Sequence, residues 1–238
     1  VSDGQSSATP TGFFSIAILD PAAFLAHLHF DEGSGTVAVD ATGNGNDGLL
    51  AGGSSFTTRT PDGSASALEL DGVDGSVELP AFEAGGSGLS LSAWFEADSF
   101  ATSDARLISK ASGLAENDHV FMLGLARQGG TQYLRGRVRV GGVTTTLVAT
   151  GAAVETGQWY HAALTHDGTT LRLFLDGVEI ASTLLGGSVD VDPSLAVAVG
   201  AQPAGAGGRY FDGRIDDVRV LERALAPFEI VELSDGRT

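Results

Sequence analysis

Asp31, Asp40, Asn44 and Asn46 fall within one glycine-rich stretch, "DEGSGTVAVDATGNGNDG" (31–48), and Asp212 and Asp216 fall near the other end of the chain, in "YFDGRIDDVRVLERAL" (210–225). These are hard oxygen donors of the kind calcium takes, six to eight at a time, from carboxylates, amides and backbone carbonyls. No 12-residue EF-hand frame is present. Glu32 and Asp47 extend the early set, and Asp71, in an Asp-Gly turn, is a further donor. Strand alternation places Asp212, Arg214, Asp216 and Val218 on one face and leaves Asp217 beside Arg214 or Arg219. The competing structural reading is that these Asp and Asn side chains close turns and caps.

A second polar group lies in "DARLISKASGLAENDH" (104–119). Asp104, Arg106, Lys110, Asn117 and His119, with Glu116, have the multi-point donor and acceptor chemistry that sugar hydroxyls require. Tyr133 and Tyr210 start strands beside glycine-rich loops and are the better aromatic ligand contacts. The competing reading is a solvated loop. Trp94, Trp159 and Phe174 sit inside strongly patterned strands, where aromatic area is normally used for packing. His27 and His29 are two apart and can share a metal, but no third ligand is near them in sequence, so packing is the simpler reading. His166, before an Asp-Gly turn, is expected at the surface.

The elements that must position these residues are strands. Of the 238 residues, 42% are apolar and 34 are Gly, without the period of three that collagen needs. "HLHF" within 21–30 puts His27 and His29 on one face, and Leu28 and Phe30 on the other. In "LSLSAWFEA" (89–97), Leu89, Leu91, Ala93 and Phe95 share a face and Trp94 opposes them. Gly141-Gly142, Asp167-Gly168 and Asp176-Gly177 are hairpin turns. Pro227 opens a short closing helix. Residues 1–12 read as a flexible lead, 13–19 as a first strand, and 13–238 as a single domain. About a dozen short strands without alternating long helices predict an all-β, two-sheet antiparallel sandwich.

The formal charge of -17 disfavours nucleic acid and anionic membranes and suits a neutral ligand or a cation. No run is apolar for long enough to cross a membrane. Cysteine is absent, which excludes disulfides and thiolate metal sites. The start at Val1, without a leader, is what a processed protein or an excised piece would show.

In order and spacing, "HLHFDEGSGTVAVDATGNGNDG", "LELDGVDGSVELP", "LSLSAWFEA", "GQWYHAALTHDGTTLRLFLDGVEIAS" and "YFDGRIDDVRVLERALAPFEI" resemble a laminin-G-like jelly roll of the concanavalin A-like lectin/glucanase superfamily, over roughly residues 25–235. The resemblance implies a secreted or cell-surface location and a glycan or surface protein as partner, within a multidomain parent. It also implies calcium where the early loop and the late strand meet, and a structural role for His161. The related hydrolases carry Glu-x-Asp-x-x-Glu on one strand, and the nearest stretch here, "ELDGVDGSVE" (69–78), has the wrong spacing and is broken by glycines. The Gln-x-His of related lyases is absent, as are a nucleophile elbow and His-Glu-x-x-His. The sequence therefore points to a non-catalytic extracellular binding module, most simply for carbohydrate. A protein-interaction domain is the alternative, and a lyase or hydrolase with an unrecognised site the third reading.

Overall fold

The computed structural model describes residues 24–61 and 63–236. The flexible lead at 1–12 and the strand expected at 13–19 lie outside the described residues. Within them the chain forms β1 (Phe24–Leu28), β2 (Val37–Ala38), β3 (Gly48–Ala51), β4 (Ser55–Thr57), β5 (Ala67–Asp71), β6 (Ser76–Leu79), β7 (Leu89–Ala97), β8 (Arg106–Ala111), β9 (His119–Gln128) and β10 (Thr131–Val140). There follow β11 (Val143–Ala153), β12 (Trp159–His166), β13 (Thr170–Leu175), β14 (Val178–Leu184), β15 (Val197–Val199), β16 (Asp212–Leu221) and helix α1 (Pro227–Ser234).

The strands form two eight-stranded antiparallel sheets, the jelly-roll sandwich expected. The first sheet runs β14-β13-β12-β7-β16-β5-β4, with β1 also on β16, and the second runs β11-β10-β9-β8-β15-β6-β3-β2. Period-two alternation builds the core between them. Leu89, Leu91, Ala93 and Phe95 from the first sheet meet Phe121, Leu123, Leu125, Leu134 and Val138 from the second in one buried cluster. Gly136 also faces inward, since a Cβ there would lie 2.5 Å from Leu164. Alternation then leaves Tyr133, Arg135, Arg137 and Arg139 on the outer face of β10.

The strands nearest the two ends of the described chain pair with each other. β1 lies antiparallel on β16, with Ala26 opposite Val220 and Leu28 opposite Val218. Ala26, Leu28 and Phe30 enter the core. The stretch 31–53, which reads as turns, holds β2 and β3 as well, because backbone pairing to β6 continues the second sheet through it. α1 starts at Pro227 and buries Ile230 and Leu233 with Phe174, Leu221 and Leu225 on the outer side of the first sheet.

Candidate functional site

The outer face of the second sheet gathers four of the chain's arginines. Arg106 and Arg135 both pair with Gly124, one on each side, so their strands carry them to the same face. Asp104 sits among them: its Oδ2 is 3.1 Å from Arg209 Nε, 3.7 Å from Arg106 Nη1 and 3.9 Å from Arg135 Nη2. Arg137 donates to Thr146 Oγ1 at 3.1 Å, and Thr146 donates to Glu116. Burial, and then the neighbouring Arg135, pulls Arg106 down to about 9, and burial followed by Arg137 pulls Arg135 down to about 10. Both stay cationic at neutral pH. Arg135 is 8% exposed, yet its Nε and Nη2 have no hydrogen-bond partner among the described residues.

His119 is fully buried beside this cluster. Its Nδ1 lies 2.9 Å from the Ala115 carbonyl and 3.2 Å from that of Glu116, which fixes the proton there. Its Nε2 then accepts from Gln202 Nε2 at 3.2 Å and faces Arg106 Nη2 at 3.4 Å. Burial, then Arg137 and Arg106, lowers it to about 4, so the ring is a neutral acceptor. Gln202 completes the arrangement: its Oε1 accepts from Arg106 Nε and Ser109 Oγ, and its Nε2 also donates to the Gly113 carbonyl at 2.8 Å.

Gln202 also lines a groove of about 740 Å³ with Leu49, Asp74, Ser76, Glu78 and Tyr210. Val77 and Leu79 enter the core, so Ser76 and Glu78 point outward, onto the face that carries the arginines. Leu49 is 61% exposed there. The far wall is the loop between β15 and β16, where Gly208, at φ 73°, packs against the Tyr210 ring so closely that a Cβ would lie 2.9 Å from it.

Of the expected sugar contacts, the structure brings Asp104, Arg106 and His119 into one cluster. Tyr210 lines the adjoining groove, and Tyr133 lies on the same outer face two residues before Arg135. Asn117 is turned elsewhere, its Oδ1 accepting from the Thr144 N–H at 2.9 Å. Lys110 departs from the set altogether. It pairs with core-facing Phe121, and its Nζ donates to the carbonyls of Phe82 and Leu195 at 3.0 and 2.5 Å. Burial lowers it to about 8. Gln202, Arg135, Arg137 and Arg209 were not singled out in the sequence. The period-two arginines of "YLRGRVRV" were a legible signal for two of them, whereas nothing local marks Gln202.

The oxygen donors expected for calcium separate. Asp40 Oδ1 accepts from the N–H groups of His27 and Thr42 at 3.1 Å each, and Oδ2 from the Asn46 N–H at 3.1 Å and the Thr42 hydroxyl at 2.7 Å. Burial opposes its charge, but these donors outweigh it and hold the carboxyl below its usual range. Asn44 and Asn46 donate to the carbonyls of Phe24 and Leu25 at 2.8 and 2.7 Å. These three residues staple the loop onto β1. Asp212 pairs opposite Asp71 at the start of β16 and accepts from Ser99. Asp31 and Asp216 line one pocket of about 240 Å³, with His29, Trp94, Asp217 and Arg219. Of the expected oxygen donors, then, Asp31 and Asp216 share this pocket, with the carboxylate of Asp217 beside them. In the same region, His27, His29 and Asp217 place one ligand atom each within 4.8 Å of one another, a set that can hold a metal ion.

Comparison with known proteins identifies the fold. Domain 4 of AbnA, an extracellular arabinanase from Geobacillus stearothermophilus solved in complex with arabinotriose, superposes with a TM-score of 0.66 at 23% identity, over 89% of this chain and 98% of that one. The binding domain of Paraclostridial Mosquitocidal Protein 1 gives 0.66 at 13% identity, over 91% of this chain and 52% of that one. The ligand binding domain of botulinum neurotoxin serotype D, in complex with N-acetylneuraminic acid, gives 0.62 at 15%, over 91% and 52%. This chain thus spans about half the length of the toxin domains, and at these identities the likeness carries the fold. No curated protein matches the chain in sequence. The family model for the concanavalin A-like lectin/glucanases superfamily matches residues 71–231, and the chain belongs to that superfamily.

Proposed function

We propose that the chain is a non-catalytic extracellular module that binds carbohydrate across the outer face of the second sheet. The observation that carries this reading is the groove joined to the arginine cluster through Gln202. The groove offers one half-buried aromatic ring, Tyr210, an exposed Leu49 and the carboxylates of Asp74 and Glu78. The adjoining cluster adds positive charge at its edge, where Arg209 exposes 39% of its side chain. An apolar floor with a few convergent polar groups is how small-ligand sites are built, and sugars carry both hydroxyl donors and acceptors to match. The saccharides in the arabinanase domain and the neurotoxin domain support the ligand class. Calcium has less support. Only Asp31 and Asp216 of its expected ligands share a pocket, away from this face, and the proposed binding does not depend on it.

The test is calorimetric titration with a panel of oligosaccharides, arabinotriose and N-acetylneuraminic acid among them. At least one saccharide is expected to bind, and Tyr210→Ala is expected to weaken it about tenfold through loss of the stacked ring. Silence across the panel would overturn the reading. A protein partner is the second reading, favoured by Val178, Phe228 and Val231, which expose 64%, 56% and 43% of their surface on β14 and α1, two elements that pack together.

A further inference from the structure

The cluster of His27, His29 and Asp217 arises from two strand devices. Ala26, Leu28 and Phe30 take the core side near β1, so His27 and His29 stand on the outer side of the first sheet. Across the pair, His27 lies opposite Arg219. β16 then carries a bulge: Asp216 pairs with Trp94 and Arg219 with Ser92, so one extra residue is inserted. The left-handed backbone of Asp217, at φ 52°, falls within that bulge. Ile215 and Val218 both remain in the core. The carboxylate meets both imidazoles: Asp217 Oδ1 is 2.6 Å from His27 Nε2 and 3.6 Å from His29 Nδ1. The two rings are 3.9 Å apart between centroids.

We infer that His27, His29 and Asp217 form a binding site for a divalent transition cation of the zinc class. Two imidazole nitrogens and one carboxylate oxygen are a borderline cation's ligands, not calcium's. Tetrahedral bonds of the usual length hold neighbouring donors about 3.3 Å apart, and the two separations from Asp217 Oδ1, 2.6 and 3.6 Å, bracket that value. His29, with 48% of its side chain exposed, has room to adjust. His29 and Asp217 also line the pocket shared with Asp31 and Asp216, which leaves room beside them for a fourth ligand such as water. Arg219 Nη1 is 2.5 Å from Asp217 Oδ2, which orients the carboxylate and leaves Oδ1 toward the imidazoles. Around that pocket stand Asp31, Asp216 and Asp217 against Arg219, a negative balance that favours a cation. The His27 N–H is held by Asp40, so the ligand strand is already tied down. Such an ion clamps segments 190 residues apart and stabilises the fold by binding the native state alone.

The experiment uses chain carrying no oligohistidine tag, stripped with chelator and dialysed. Zinc, cobalt, calcium and magnesium are titrated separately, with heat, melting temperature and the visible spectrum of the cobalt form as readouts. A single zinc is expected to bind and raise Tm, and cobalt to show the intense absorption of a tetrahedral site. His29→Ala, which removes a half-exposed ring and should leave metal-free melting unchanged, is expected to weaken zinc at least about tenfold. Asp217→Asn is expected to do the same. The inference is overturned if wild type binds no zinc, if both variants bind it as tightly as wild type, or if calcium binds more tightly than zinc and His29→Ala leaves it untouched.

Discussion

His119 shows how one residue can be fixed by what surrounds it. Arg106 and Arg137 approach its ring, Gln202 donates to Nε2, and two carbonyls hold the Nδ1 proton. Its native value is lowered from 6.5 to about 4 by burial and then by the two guanidinium groups. Above pH 6.5 the ring is neutral in both folded and unfolded chains. Between 6.5 and 4 the unfolded chain takes up a proton that the native state refuses, so stability falls as pH falls through that window. The full loss from this one group is about 3 kcal/mol by pH 4. Urea midpoints measured from pH 7 to pH 4 are expected to fall, and to fall less steeply in His119→Gln. His161, lowered to about 3 by burial and then by Arg219, adds to the same slope. Burial of this kind is what the sequence conceals: His166 reads as a surface residue before a turn, yet it is fully buried, with Nε2 2.8 Å from the Leu185 carbonyl.

Strand β16 carries much of what joins the two ends, and it is irregular at two places. At Gly213 the backbone has φ 143°, and a Cβ there would lie 2.1 Å from the Glu96 carbonyl. No side chain fits without moving β7, the neighbour across the sheet. Gly213→Ala is therefore expected to destabilise the fold by about 3 kcal/mol or more, read as a lower urea midpoint at unchanged m-value. The second irregularity is the bulge at Asp217. Alternation in "DGRIDDVRV" puts Asp212 and Asp216 on one face and Asp217 on the other, which holds only where the strand runs regularly. The bulge turns Asp217 outward as well, toward His27 and His29. That is why a third ligand for the two histidines was invisible in sequence: it lies 190 residues away and depends on one extra residue in a ladder. The hairpins were legible because Gly141-Gly142 and Asp176-Gly177 adopt the positive φ values their turns need. The short strands of 31–53 were not, since β2 has two residues and carries no periodicity.

At the scale of the molecule, charge and architecture meet. The chain carries 30 acidic and 13 basic side chains, and four of the arginines are drawn into one cluster on the second sheet. The rest of the surface is correspondingly more acidic and repels itself. At about 0.01 M salt the Debye length is about 30 Å, so that repulsion reaches across a domain of this size, whereas at 0.15 M it is cut to about 8 Å. Surface ion pairs contribute little and lose little on screening, and the Asp104 contacts to Arg106 and Arg135 are shielded from salt by burial. The balance predicts that Tm rises with added salt, by several degrees between about 0.01 M and about 0.5 M sodium chloride. Potassium chloride is expected to do the same, since screening depends on ionic strength and not on a particular ion. A fall in Tm over that range would mean that paired charges, and not repulsion, dominate the electrostatics of the fold. The same screening acts on ligands with opposite sign: affinity for an uncharged saccharide should be indifferent to salt, while one held through its carboxylate by Arg137 and Arg209 should bind more weakly as salt rises.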